Sequence, residues 1–242
     1  MKAGILAENK RTMLHNFTKK PTHFDIGYAP VHISYRLYGS VPVIQLQSIT
    51  DRRDEQIEQL LAAQCDRQHK LAPKELKLEI HRINQRYDLA IDEYLHNSSN
   101  GPYYLSDSRI ANEVIDSWKY LHDEGFIYLY AICVMSNHVH VIIGNANPKA
   151  PTAIDLLMQR TKRFTSRAAN KLLGRTGEPF WSEKYYDVTI RKGRFMRAMW
   201  YVLNNPVKAG LVKFWADWPN TYVHPEYVGL FARQNGAASP VA

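Results

Sequence analysis

The sequence predicts an α+β fold: a ferredoxin-like, split β-α-β antiparallel sheet with an inserted helical hairpin and a C-terminal helix that bears a tyrosine. Two observations lead to this fold. Apart from one charged helical segment after the first strand, strand and helix periodicities follow the order β-α-β-β-α-β, with one more helix at the end. The two middle strands are separated by a short polar turn, which indicates an antiparallel hairpin.

The first strand is predicted at 31–38, where apolar and polar residues alternate up to Gly39. The following segment, about 51–97, is charged and has no strand pattern. Its apolar residues between 76 and 94 are alternately four and three positions apart, which aligns them on one helix face, and Pro73 separates two helices. We expect an inserted helical hairpin, whose role the pattern leaves open between a hairpin clamp, a dimer surface and a filler.

The remaining elements follow from periodicity and from the residues that begin and end them. They are a helix from Ser106 or Asp107 to about 122, strands at 127–134 and 139–144, a helix at 150–173, a strand at 185–190 and a helix at 194–205. A side-chain oxygen caps the first of these helices, Gly174 ends the long one and Pro206 stops the last.

We expect one domain over 28–230, with an N-terminal arm (1–27) and a flexible tail (231–242). Hydrophobic residues make up 45% and charged residues 22% of the 242 residues, which is ordinary for a globular protein. No apolar window of eighteen residues occurs, which argues against a membrane protein. Cys65 and Cys133 have neither disulfide-framework nor zinc-knuckle spacing, which suits the cytoplasm.

The positive charge is concentrated in one stretch. Between Arg160 and Arg197, eleven Lys or Arg stand against three acids, so this stretch alone accounts for the net charge of +8. Aromatic residues are interspersed among these cations, a composition that suits single-stranded nucleic acid, although a solvated basic face is an equally good reading. The candidate DNA-binding residues are Arg160, Lys162, Arg163, Arg167, Lys184, Arg191, Lys192 and Arg194.

The strongest local signal is a pair of histidines, His138 and His140, on the strand predicted after the turn. Side chains alternate along a strand, so both imidazoles lie on one face, about 7 Å apart along the chain. Imidazole is the commonest metal ligand near neutral pH, and the pair needs one or two more donors to hold a divalent ion. Two buried, hydrogen-bonded histidines without a metal remain the alternative.

A second signal lies in the last predicted helix, where Tyr201 and Asn205 are four residues apart and share a face. Each residue alone has an ordinary structural explanation, as a core aromatic and as a helix-end amide. Together with the two histidines they suggest a metal-assisted attack on a phosphodiester, in which the tyrosine becomes covalently attached.

These residues carry a family resemblance. The segments 131–143 (Ala-Ile-Cys-Val-Met-Ser-Asn-His-Val-His-Val-Ile-Ile), 180–181 (Phe-Trp) and 201–211 (Tyr-Val-Leu-Asn-Asn-Pro-Val-Lys-Ala-Gly-Leu) resemble those of the REP-associated tyrosine transposases. These are domesticated relatives of the single-tyrosine HUH insertion-sequence transposases. The resemblance covers most of the chain outside the helical insertion. One departure is Ser136, where relatives have Pro.

The resemblance implies that His138, His140 and Asn205 bind Mg²⁺ or Mn²⁺ and that Tyr201 is the nucleophile. It also implies cleavage of single-stranded DNA beside palindromic hairpins, with a 5′-phosphotyrosine link and a free 3′-OH. The partner would be single-stranded or hairpin DNA, and the protein a nucleoid-associated, cytoplasmic monomer or homodimer. Two rival hypotheses are a non-catalytic binder of repeat hairpins and a metal-dependent phosphohydrolase that forms no covalent intermediate.

Overall fold

The structure is a computed structural model that describes residues 26–64, 70–97, 101–147 and 152–232. These residues divide into two compact units: 38–102 form the first unit, and 26–37 together with residues from 103 onward form the second. Within these ranges, no helix is long and apolar enough to cross a membrane. The predicted arm and tail lie almost entirely outside the described residues, as does Cys65.

The first unit is the predicted helical hairpin, formed by α1 (Val43–Ala63) and α2 (Pro73–Asn97). The guanidinium of Arg53 on α1 lies 4.8 Å from the ring centroid of Tyr87 on α2. The predicted start at residue 51 is wrong, because α1 begins directly after Pro42. Residues 43–50 are mostly uncharged and include β-branched residues, so their sequence does not indicate helix as the later, charged part does.

The second unit is the predicted antiparallel sheet with its helices. In chain order its elements are β1 (Val31–Leu37), α3 (Ser108–Asp123), β2 (Ile127–Val134), β3 (His138–Asn145), α4 (Ile154–Leu172), β4 (Trp181–Thr189), α5 (Phe195–Leu203), α6 (Asn205–Lys208), β5 (Thr221–Val223) and α7 (Pro225–Phe231). The strand order is β4-β1-β3-β2-β5, with every neighbouring pair antiparallel. The predicted α+β fold is confirmed.

Several predicted boundaries are corrected. Helix α4 begins at Ile154 rather than 150, since Thr152 instead pairs with Ile26 in an isolated bridge. Strand β4 begins at Trp181 rather than 185, because its pairing with β1 continues past an irregularity to Leu37. Strand β5 and helix α7 were not predicted; three and seven residues are too few to show a clear period.

The sheet is buried on both faces. On one face, Val139, Val141 and Ile143 of β3 join the core formed with α3 and α4, which we call the α4 face. On the other, Ile142 joins the core that includes Met199 of α5, which we call the α5 face. The central strand therefore alternates between two apolar cores, and any polar side chain on it must find partners within the protein.

A buried hydrogen bond joins the sheet to α3 on the α4 face. The indole Nε1 of Trp118 donates to the hydroxyl of Tyr35 over 2.9 Å, and burial raises the pKa of Tyr35. We expect Trp118→Phe to lower the free energy of unfolding by about 1–3 kcal/mol, because the tyrosine hydroxyl loses its donor. Urea unfolding followed by circular dichroism measures this, and the Tyr35→Phe/Trp118→Phe double variant should recover part of the loss. A single variant as stable as the parent would contradict it.

Candidate metal and nucleophile site

The two predicted histidines project from β3 into the α5 face of the sheet. His138 is 2% exposed and His140 1% exposed, and their ring centroids are 4.8 Å apart. One ring nitrogen of each lies within 4.8 Å of one ring nitrogen of the other. Two imidazoles buried this close together can supply two of the ligands of a metal ion.

The ring of His138 is oriented by its chain neighbour. Its Nδ1 lies 2.6 Å from Oδ1 of Asn137. An amide oxygen only accepts hydrogen bonds, so Nδ1 of His138 must carry the hydrogen. The lone pair of the neutral ring is then on Nε2, which makes Nε2 the atom that can coordinate a cation.

His140 is oriented by a residue that the sequence analysis missed, His32 of β1. The Nε2 atom of His32 lies 3.1 Å from Nδ1 of His140, and the two rings are stacked with centroids 5.3 Å apart. If Nδ1 of His140 donates this hydrogen bond, its lone pair is also on Nε2. The strand pattern places His32 on the polar side of β1, but only the register, in which Ser34 is opposite His140, reveals the contact.

Cys133 of β2 is directly opposite His140 in the sheet. Burial raises the pKa of Cys133 to about 12. The sulfur also accepts a hydrogen bond from the hydroxyl of Thr221 and contacts the sulfur of Met135. The thiol is therefore protonated in the metal-free protein.

Tyr201 reaches the histidines from α5. Its ring centroid is 5.8 Å from that of His140 and 5.7 Å from that of His32, with both rings edge-on to it. The helix is held by Met199, Val202 and Leu203, which are buried in the core of the α5 face. The phenol and the imidazole pair thus lie on the same side of the sheet, as an attack by Tyr201 on a phosphodiester beside the two histidines requires.

Asn205 occupies a break between α5 and α6 that Pro206 causes. Pro206 has no N–H to donate to the carbonyl of Val202, and the Nδ2 group of Asn205 donates there instead, over 3.3 Å, and to the carbonyl of Tyr201 over 2.8 Å. Because carbonyls only accept, these contacts fix which end of the amide is nitrogen. The other end, Oδ1, is buried and has no hydrogen-bond partner among the described residues.

This arrangement corrects the predicted helix over 194–205. Helix α5 ends at Leu203. Pro206 does not end the helical segment but lies in the first turn of the next helix, α6. Proline is well tolerated in a first turn, where its missing N–H has no helical partner. A buried amide oxygen without a hydrogen-bond donor carries an energetic cost, and a bound cation is one group that could offset it.

Two other tyrosines, Tyr185 and Tyr186, are adjacent on β4 and therefore lie on opposite faces of the sheet. Tyr185 lies on the α4 face, where its hydroxyl donates to Asp155 over 2.5 Å; burial, together with this carboxylate, raises its pKa. Tyr186 is opposite Ser34 and therefore shares the face of His140, but it lies on β4, with β1 between it and β3. Of the two, only Tyr186 faces the side of the histidines.

The predicted DNA-binding residues fall into three groups. Helix α4 packs on the α4 face, so its four cations lie across the sheet from the histidines and Tyr201. Lys184 is exposed on β4, which is an edge strand of the described sheet. The third group is exposed in the loop that leads from β4 into the tyrosine helix. The three groups are Arg160, Lys162, Arg163 and Arg167; Lys184; and Arg191, Lys192 and Arg194.

Lys162 differs from the other cations of α4. Its ammonium donates to the carbonyl oxygens of Ser182 and Glu183, over 2.9 and 3.0 Å, and lies 5.3 Å from the ring centroid of Tyr185. These contacts tie α4 to the edge strand β4. A role of Lys162 in DNA binding stays a prediction, and its contacts give it a structural role in any case.

Two comparisons with known proteins bear on the family and the fold of this chain. The family model described as "Transposase IS200 like" (Y1) matches residues 103–205, a segment that includes both histidines, Tyr201 and Asn205. A solved structure of a REP-associated tyrosine transposase bound to a REP hairpin is similar over 93% of this chain and 94% of that chain. The TM-score is 0.51 and the sequence identity 12%, so this similarity concerns the fold. No curated protein matches the sequence.

The contact between His32 and His140 generates a prediction about metal affinity. We expect His32→Ala to weaken Mn²⁺ binding about 10- to 100-fold, because the loss of this hydrogen bond frees the ring of His140 to rotate and to change tautomer. Isothermal titration calorimetry of the metal-free protein measures the affinity. His122→Ala, which removes a histidine near Tyr128 and His224, is the matched control and should bind Mn²⁺ as the parent does. Unchanged affinity in His32→Ala would mean that this histidine does not orient a ligand.

Proposed function

We propose that this chain is a member of the IS200-like transposases, whose family model matches residues 103–205, and that it acts as a single-tyrosine HUH DNA nuclease. The protein cleaves and rejoins single-stranded DNA next to palindromic hairpins and forms a 5′-phosphotyrosine intermediate through Tyr201. The reaction depends on a divalent metal ion.

One observation carries this proposal: the ring of Tyr201 lies against that of His140, 5.8 Å between centroids, on the same face of the sheet. A phosphodiester held beside the two histidines would therefore be within reach of the phenol oxygen. A hydrolase that activates water has no need of a tyrosine in this position. A protein that only binds DNA has no need of buried imidazoles with their Nδ1 atoms engaged.

The chemical step is a transesterification. The hydroxyl oxygen of Tyr201 forms a bond to phosphorus, and the bond from phosphorus to the 3′ oxygen breaks. The tyrosine proton passes to solvent, and the departing 3′ oxygen takes up a proton to become a 3′-OH. The number of phosphate ester bonds is conserved, so the reverse attack by a 3′-OH restores the DNA and the free tyrosine.

The residues fit a divalent cation. His138, His140 and Asn205 would hold it through two Nε2 lone pairs and the buried Oδ1 oxygen. A cation bound there supplies Lewis-acid stabilisation of the negative charge that develops on the phosphate. Two nitrogen ligands favour Mn²⁺ over Mg²⁺, which prefers oxygen, and either ion is compatible with the set.

The distribution of cations suggests how hairpin DNA is held. The loop cations Arg191, Lys192 and Arg194 precede the tyrosine helix, on the side where the scissile single strand must lie. The exposed cations of α4 lie across the sheet and can contact the phosphates of a hairpin stem. We propose a hairpin that is bound around the β4 edge, with its flanking strand at Tyr201.

Tyr201→Phe tests the nucleophile. We expect no covalent protein–DNA species with a hairpin that carries a single-stranded flank, because the attacking oxygen is absent, and hairpin affinity within about twofold of the parent. Denaturing gel electrophoresis detects the covalent species, and fluorescence anisotropy measures the affinity. Tyr185→Phe, altered on the opposite face, is the control and should form the adduct.

A different nucleophile, a phosphohydrolase and a non-catalytic binder would each give a different pattern of cleaved and covalently bound DNA on the denaturing gel. An adduct in Tyr201→Phe that disappears in Tyr186→Phe would move the nucleophile to β4. Cleavage without any trapped species in the parent protein would favour the phosphohydrolase. Binding without cleavage would favour the non-catalytic hairpin binder.

His138→Ala and His140→Ala test the metal requirement. Each should reduce adduct formation at least about 100-fold at saturating DNA, because the negative charge that develops in the transition state loses its stabilisation. EDTA should abolish the adduct in the parent, and added Mn²⁺ or Mg²⁺ should restore it. Adduct formation that continues undiminished in EDTA would refute the ligand assignment.

A further inference from the structure

Lys208 lies beside the proposed nucleophile. Its ammonium nitrogen is 4.1 Å from the ring centroid of Tyr201. In a helix, residues at positions i, i+4 and i+7 share a face, and Tyr201, Asn205 and Lys208 have this spacing across the α5–α6 break. The match to the family model ends at Asn205, three residues before Lys208.

The backbone that carries Lys208 is fixed. Its N–H donates to the carbonyl of Asn204, so the helical course continues past the break. The end of α6 is closed by two bonds, from Gly210 to Val207 and from Leu211 to Pro206, with Gly210 at a φ of 68°. The side chain of Lys208 is exposed to solvent.

A positively charged side chain next to Tyr201 would assist the transfer reaction. The phosphodiester carries a negative charge whose distribution changes during the transfer. A fixed positive charge near the attacked phosphorus stabilises this transition state more than it stabilises the bound DNA, provided that it contacts a non-bridging oxygen. An ammonium next to the tyrosine ring is close enough to make that contact when the hydroxyl approaches phosphorus.

We propose that Lys208 is a catalytic residue whose ammonium binds a non-bridging oxygen of the phosphate that Tyr201 attacks. This inference rests on the proposed function. The ammonium stays protonated throughout and takes no part in proton transfer: the bond from the Tyr201 oxygen to phosphorus forms, the bond to the 3′ oxygen breaks, and protons are exchanged with solvent. The same contact acts in cleavage and in rejoining, since both pass through one transition state.

The test compares Lys208→Met with the parent in single-turnover adduct formation on hairpin DNA with a single-stranded flank. We expect the rate at saturating DNA to fall about 100- to 1,000-fold and the affinity to change less than about threefold. Lys208→Arg should recover a part of the rate. Lys213→Met, which removes a charge from the same segment, is the matched control and should keep the parent rate.

A substrate with a methylphosphonate at the scissile position separates charge neutralisation from positioning, because one non-bridging oxygen is replaced by a neutral methyl group. On this substrate, the rate of adduct formation by the parent should exceed that of Lys208→Met by no more than about tenfold. If the methylphosphonate does not react, the two phosphorothioate diastereomers serve instead, and Lys208→Met should be less sensitive than the parent to sulfur at one of the two oxygens.

The outcomes distinguish the two hypotheses. A parent protein that forms no adduct overturns the proposed function and this inference with it. An adduct that forms equally fast in Lys208→Met overturns the role of Lys208 alone. Equal slowing on the charged and neutral substrates, or with both diastereomers, would show that Lys208 only positions Tyr201.

Discussion

The burial of β3 on both faces is the constraint on which the rest of the molecule depends. Its odd-numbered residues, such as Val141, fill the core of the α4 face, and Ile142 fills that of the α5 face. A strand in this position cannot slip by one residue, because a slip would exchange every side chain between the two cores. His138 and His140 are consequently held on the α5 face, where a polar side chain survives only with partners.

Those partners convert two buried histidines into a prepared site. Asn137 engages one imidazole and His32 the other, each through Nδ1. With Nδ1 engaged, Nε2 of each ring is the atom that can coordinate a cation. Within the described residues, these hydrogen bonds link β3 to the turn that precedes it and to β1.

The helix break at Pro206 is the second device that prepares the site. In a continuous helix, backbone N–H groups would donate to the carbonyls of Tyr201 and Val202. The side chain of Asn205 would then not be needed as a donor to them. Proline removes one of those backbone donors, and the Nδ2 group of Asn205 replaces it. The amide oxygen is then directed away from the helix, which makes an ordinary helix-end residue available as a ligand. The same break leaves Lys208 on the face of Tyr201.

The sequence by itself determined the order of the elements in the sheet unit, the face shared by His138 and His140, and the alignment of Tyr201 with Asn205. These follow from local periods of two and of 3.6 residues, which a short stretch of chain is enough to reveal. Only the tertiary structure decided that His32 orients His140, that Lys162 is held by the carbonyls of β4, and that the α4 cations lie across the sheet from Tyr201. Such facts depend on strand register and layer packing between residues as many as 108 positions apart, and no local period carries that information.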